Sequence, residues 1–231
     1  VGSEMCIRDR YKGAGGFGDT SNRLSFTQFA SASDKWKQIA SDRYVTIGVR
    51  EDGTLWGWGD NSQGAVGNGT LVDYSSPVQV GTTTDWQYVA VGEGTSYAIK
   101  KNGTLWAWGN GNRGSLGNGS YSINFSTPVQ VGTFNDWKSI VPGPFFWIGL
   151  RSDGRLWGCG YNSYGQWGNG TRVGSNAGPQ PGAAVSKWKM LTTTHSYTPA
   201  VLGIRTDGTL WSWGQDTGGC LGLGVSGVAY S

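Results

Sequence analysis

The chain has 231 residues, of which 41 are Gly and 13 Trp, with 37% hydrophobic residues, 14% charged residues and a formal net charge of +3. Glycine is far above its usual share of about 7%, no Gly-X-Y period accompanies it, and 13% aromatics is too rich for a disordered linker. No apolar run is long enough to span a membrane, and the sparse, scattered charge argues against a nucleic-acid surface. Cys6, Cys159 and Cys220 lack regular spacing and His195 is the single histidine, so no disulfide framework, metal site or cofactor is expected. What remains is a chain long enough for a sizeable core, made of short strands, tight turns and many packed aromatic rings.

In chain order, residues 4–10 (Glu-Met-Cys-Ile-Arg-Asp-Arg) resemble a translated sequencing-library adapter, so residues 1–10 are set aside as a non-native leader and the chain reads as a fragment. Residues 11–35 hold the remnant of a repeat, Gly15-Gly-Phe-Gly-Asp19. Repeats follow at 36–85, 86–136 and 137–187, then a truncated one at 188–231. The first block, Asp52-Gly-Thr-Leu-Trp-Gly-Trp-Gly59, recurs at Asn102, Asp153 and Asp207, with offsets of 50, 51 and 54 residues. A second, Gly64-Ala-Val-Gly-Asn-Gly-Thr70, recurs from Gly114 and Gly165 and, altered, from Gly219. A third, Pro77-Val-Gln-Val80, recurs from Pro128, and a lone Trp opens each period. Trp36, Trp56, Trp58, Trp86, Trp106, Trp108, Trp137, Trp157, Trp188, Trp211 and Trp213 all lie on repeat positions, which makes them architectural; Trp147 and Trp167 do not.

The second repeat illustrates the strands. Trp86–Ala90, Ser96–Lys100, Thr104–Trp108 and Pro128–Val131 read as four runs, with Asn102-Gly103 as a hairpin turn; Asp52, Asn102, Asp153 and Asp207 read as turn residues that tolerate left-handed dihedrals, the alternative being a carboxylate array. Trp106 and Trp108 share one face and Leu105 the other, so the sheet must be covered on both sides. Stacked blades do this, giving an all-β propeller of four-stranded blades of about 50 residues. Four to five blades are present, expected as an open or incomplete ring. The small residues Gly48, Ala98, Gly149 and Gly203 fit close approach in the inner part of a blade.

These blocks resemble the regulator of chromosome condensation repeat family over about residues 13–225. The resemblance implies a propeller, and family members act in nucleotide exchange on a small nuclear GTPase with chromatin binding, in ultraviolet-B photoreception and in β-lactamase inhibition. Fold does not choose among these. No wedge-like insertion is present. The family's recurrent histidine position falls on Val45, Thr95, Phe146 and Ala200, and the photoreceptor's Gly-Trp-Arg-His-Thr motif is missing. The expectation is therefore a non-catalytic scaffold for a protein or glycan ligand, a bacterial or viral surface or virion protein placed extracellularly or on the virion, with a GTPase partner disfavoured and an exchange-factor-like or chromatin-binding regulator as the alternative.

Aromatic residues in the connecting segments are the candidate binding loops: Tyr74, Tyr121, Phe125, Phe145, Trp147, Tyr161 and Tyr164. Arg50, Lys100, Arg151 and Arg205 form a repeated basic column, either an anion-binding rim or solvated strand ends. Asn68, Asn118 and Asn169 fit the glycosylation pattern, but a turn demands Asn-Gly there. Cys159 replaces the second Trp of its strand and reads as a buried small residue, and His195 as a loop residue without a nucleophile beside it.

Overall fold

A computed structural model of the chain describes residues 14–19, 25, 28, 34–182, 187–194, 199–224 and 229–230. The adapter-like segment, Cys6 and His195 lie outside them. Every sheet is an antiparallel meander of four consecutive strands. The first contains β1 (Trp36–Ser41), β2 (Val45–Arg50), β3 (Leu55–Gly59) and β4 (Tyr74–Gln79). The second contains β5 (Trp86–Gly92), β6 (Thr95–Lys100), β7 (Leu105–Gly109) and β8 (Phe125–Gln130). The third has β9 (Trp137–Gly143), β10 (Phe146–Arg151), β11 (Leu156–Gly160) and β12 (Ser175–Pro181), and the fourth β13 (Trp188–Thr193), β14 (Ala200–Arg205), β15 (Leu210–Gln215) and β16 (Ala229–Tyr230). The last repeat, expected to stop short, still completes its sheet through β16, which pairs with Gly214 and Gln215 without a Pro-Val block.

The described chain forms two compact units. One takes in the first two sheets except for residues 103–105, 111–122 and 130; the other takes in those segments with the third and fourth sheets. In the first unit, Ile47, Val49 and Leu55 share a core with Trp86, Val89 and Val91. In the second, Phe146, Ile148, Leu150 and Leu156 share one with Trp188, Val201 and Trp213. One face of each sheet thus takes part in a core shared with a neighbouring sheet.

Three local expectations change. The fourth strand begins at the aromatic residue and not at the proline: Tyr74 pairs with Gly59, and a bulge follows. Pro77 and Pro128 are accommodated because β4 and β8 are the last strands of their sheets, where a missing N–H costs no ladder bond. In the hairpins the left-handed residue is the glycine, with φ +85° at Gly53 and +79° at Gly103. Asp52 is instead a turn brace, its Oδ1 accepting from Thr54 N at 2.9 Å and Thr54 Oγ1 at 2.7 Å. Finally, Gly48 and Gly149 are small because the ring of the lone Trp on the neighbouring strand lies across them: a Cβ at Gly149 would stand 2.3 Å from Trp137 Cζ3.

Candidate functional site

The second block of each repeat is a platform for the next sheet. Ala65 O accepts from Trp108 Nε1 at 2.8 Å and from Ser96 Oγ at 2.7 Å. Ala14 O, in the remnant before the first repeat, accepts from Trp58 Nε1 at 2.9 Å and Thr46 Oγ1 at 3.1 Å. Gln166 O accepts from Trp213 Nε1 at 2.7 Å. The indoles of Trp58, Trp108 and Trp213 therefore act as fasteners between successive repeats. The platforms are held by a polar side chain that the repeat pattern does not advertise. Asn61 is 0% exposed, accepts from Val66 N and donates to Thr70 O; Asn162 does the same for Trp167 N and Thr171 O, and Asp216 accepts from Leu221 N. The Asn-Gly-Thr residues close the platform as turns, with Asn68 Oδ1 accepting from Thr70 N and Oγ1.

The third repeat solves the same packing problem with its large and small residues exchanged. Thr46 faces Trp58 across the strands, Val201 faces Trp213, and Trp147 faces Cys159. Trp147 meets the lone Trp137 edge-on at 5.5 Å, as Trp58 meets Trp36 at 5.5 Å. It also lies against Gly117, whose Cβ would be 3.0 Å from Trp147 Cζ2, as Gly67 lies against Trp108. Trp147 is 0% exposed within β10, so it is removed from the candidate loop residues. Cys159 is equally buried; its Sγ lies 3.6 Å from Gly114 O, and burial pushes the thiol up to about 12. It is a packing residue, as the sequence indicates.

The basic column is absorbed by the scaffold. Arg50 stacks over Trp56 at 3.8 Å and Trp36 at 5.0 Å and pairs with Asp34 at 2.9 Å. Lys100 lies over Trp86 and Trp106, 4.8 Å from each, and pairs with Asp85 at 3.2 Å. Arg151 stacks on Phe134 at 4.0 Å and Trp157 at 5.5 Å and pairs with Asp136 at 2.7 Å. These cations are neither a free rim nor solvated strand ends: they are half-buried clamps that explain the partly buried Trp56, Trp106 and Trp157. Arg205 stacks on Trp211 at 5.5 Å, with Lys187 at the position Asp136 takes before Trp137. Trp211 is 50% exposed and Leu210 67%, unlike the buried Leu55, Leu105 and Leu156 of the earlier repeats.

Of the loop candidates, Tyr74 and Phe125 are strand residues packed on the first core, and Tyr121 is 57% exposed. Phe145, Tyr164 and Tyr161, whose ring also packs on the second core, converge. Phe145 O accepts from Tyr161 N at 2.9 Å, and the Tyr161 and Tyr164 rings meet edge-on at 5.9 Å. A residue that the sequence reading passed over completes the group: the Arg113 guanidinium stands 4.8 Å from the Tyr161 ring and 5.1 Å from the Phe145 ring. Phe145 immediately precedes β10 and Arg151 ends it, so this patch and the clamp lie at opposite ends of the strand, roughly 20 Å apart at ~3.3 Å per residue. Among the described residues no three His, Cys, Asp or Glu side chains group as a metal site, and no helix is long and apolar enough to cross a membrane.

Repeated four-stranded blades, each fastened to a platform in the preceding repeat, define a β-propeller of the repeat-built class. The chain belongs to the regulator of chromosome condensation (RCC1) repeat family: one repeat model matches residues 52–99 and 102–146, and a second matches 36–65, 86–115 and 137–166. It is similar to the human WBSCR16 structure (TM-score 0.75, 19% identity, 91% of this chain and 54% of that one). It is also similar to Prp20p of Saccharomyces cerevisiae (TM-score 0.73, 19% identity, 91% of this chain and 51% of that one), a protein described with its binding to Gsp1p and histones. The X-linked retinitis pigmentosa GTPase regulator of Homo sapiens is 36% identical over 67 residues, 28% of this chain. The chain thus spans about half the length of the two solved relatives and 7% of that regulator. The expectations of a glycan ligand, of a bacterial or virion surface and of a disfavoured GTPase find no support among these relatives.

Proposed function

We propose that the chain is a non-catalytic propeller module that binds a protein through the patch of Phe145, Tyr161 and Tyr164. The observation that supports this reading is the gathering of their rings about Arg113 at one end of the third blade, with side chains that the other repeats do not share. The repeated Trp and cation positions, by contrast, are occupied in fasteners and clamps. Rigidly held aromatic anchors concentrate binding energy at interfaces. The partner classes to try come from the relatives: a Gsp1p-type small GTPase and histones, as for Prp20p.

The test is surface-immobilised binding of both partners to the parent and to a Phe145→Gly/Tyr164→Ser variant. Glycine suits the left-handed backbone at Phe145 (φ +61°) and keeps the turn intact. Binding by the parent and a loss of tenfold or more in the variant, at unchanged melting temperature, is the expected result. Equal binding by the two proteins would remove the patch from the interface. The second reading, an exchange-type regulator, is favoured by the matched stretch of the GTPase regulator. It requires the parent also to accelerate nucleotide release from the GTPase.

A further inference from the structure

Arg113 repeats the clamp of Arg50, Lys100 and Arg151 with one component missing. Each of those cations lies against two aromatic rings and has a carboxylate within 3.2 Å. Arg113 has its two rings, Phe145 and Tyr161, but no described carboxylate within ion-pair distance, and its side chain is exposed. A guanidinium packed on two rings has surrendered much of its rotamer freedom while the side chain stays exposed, so it is pre-organised for two parallel bonds to a carboxylate.

The backbone around it supplies an independent observation. Four non-glycine residues among those described adopt positive φ, and three of them adjoin this patch: Arg113 (+57°), Ser122 (+58°) and Phe145 (+61°). Ser122 N donates to Gly111 O at 2.9 Å, which ties the exposed Tyr121 and its loop down two residues from Arg113. Left-handed non-glycine residues each carry strain and gather where a side chain must be aimed.

We propose that Arg113, lying against the Phe145 and Tyr161 rings, is the anchor for a carboxylate of an acidic segment in the partner protein. This rests on the protein-binding reading above and names the chemistry of the partner. The aromatic rings supply contact area, the guanidinium supplies the bidentate pair, and the net charge of +3 favours approach of an acidic chain.

The experiment uses a fluorescein-labelled twelve-residue peptide of repeated Glu-Glu-Leu, its Gln-Gln-Leu counterpart and an oligo-dT of equal charge, followed by anisotropy in low and moderate salt. The proteins are the parent, Arg113→Gly, Arg113→Lys and Arg155→Gln. Arg155 is an exposed cation at the opposite end of the blade, so its variant matches the loss of charge. Glycine relieves the backbone at 113, so Arg113→Gly melts no lower than the parent. The parent binds the Glu peptide and not the Gln peptide; Arg113→Gly loses tenfold or more, Arg113→Lys several-fold, and Arg155→Gln less than twofold. Equal losses for Arg113→Gly and Arg155→Gln would reduce the effect to net charge and overturn the assignment. So would a parent that ignores the Glu peptide, or tighter binding of oligo-dT through Arg113. If Arg113→Gly retains partner binding that Phe145→Gly/Tyr164→Ser loses, the carboxylate anchor fails while the binding module stands.

Discussion

Exchanging residues 147 and 159 tests the packing logic of the blades directly. Trp147→Ser removes a 0%-exposed indole; burying such a ring takes about 150–250 Å² from water. At ~25 cal/mol/Å² this corresponds to about 4–6 kcal/mol, and large-to-small core changes of this kind cost about 3–5 kcal/mol. Cys159→Trp alone forces a second indole into a filled space beside Gly117, already 3.1 Å from Cys159 Sγ at its ideal Cβ position, and costs about 1–3 kcal/mol or more. Independent effects would sum to about 4–8 kcal/mol. The double variant Trp147→Ser/Cys159→Trp restores the Ser96 and Trp108 arrangement of the second repeat, with the new indole N–H directed at the preceding platform as Trp108 Nε1 is at Ala65 O. Its stability is therefore expected within about 1.5 kcal/mol of the parent, as for volume-conserving swaps. Urea unfolding of the four proteins, followed by fluorescence, gives the coupling energy. A value of at least ~2.5 kcal/mol is expected, whereas additivity within ~0.5 kcal/mol would show that Trp147 does not occupy the site left by Cys159.

Trp108→Phe keeps most of the apolar ring and loses the N–H bonded to Ala65 O at 2.8 Å; the expected loss is about 1–2 kcal/mol in denaturant melts. Trp211→Phe loses an exposed bond to Thr209 Oγ1 and keeps an aromatic face for Arg205, so it should differ from the parent by less than ~0.5 kcal/mol. Gly103→Ala places a Cβ 2.0 Å from Asn135 O at φ +79°, whereas Gly119→Ala meets nothing within 4 Å at φ +87°. The first should therefore lower the melting temperature well beyond the second, whose cost is the left-handed penalty of about 1–2 kcal/mol alone. Asp42 is shifted upward because burial disfavours its charge, despite N–H donors from Tyr44, Val45 and Gly94. Its folded pKa exceeds the unfolded one, so its contribution is complete below the ordinary value of 3.8 and is lost as pH rises through the raised value. Asp52 has the opposite sign: the Thr54 hydroxyl bond lowers it, so its contribution is present above 3.8 and lost as pH falls. Melting temperatures measured across the acidic range should show Asp42→Asn flattening a decline toward neutral pH and Asp52→Asn flattening a decline toward acid; the same slope in parent and variant would contradict either assignment.

The blade architecture was legible because its demands are local. Asp52-Gly53 must make a turn, Leu55 and Trp58 must face opposite ways, and the period of the lone Trp places the first strand of every sheet. Trp147 reads as a loop anchor in the sequence because it breaks the pattern. The signal was present as a second break: Cys159 stands where Trp58 and Trp108 stand, and Trp147 stands where Thr46 and Ser96 stand. Reading the two departures as one exchange would have placed the indole inside. The patch was legible only in part. Phe145, Tyr161 and Tyr164 stood out as aromatic residues free of the repeat, but Arg113 belongs to the repeat before theirs, and no spacing rule reports a contact made between connecting segments. Nor could charge alone separate Arg113 from Arg151; the difference lies in Asp136, which only one of them meets.

The indole fasteners also shift the boundary of the transferable part. Trp58 is secured by Ala14, Trp108 by Ala65 and Trp213 by Gln166, each of which precedes the sheet it serves. A sheet excised at its first strand therefore leaves behind the carbonyl that its own third strand requires. The portable cassette runs from one platform to the end of the following third strand, for example from Gly64 to Gly109, out of phase with the sheets. Grafts and duplications cut in that phase carry their docking carbonyl with them, and those cut between sheets divide the bond at both seams.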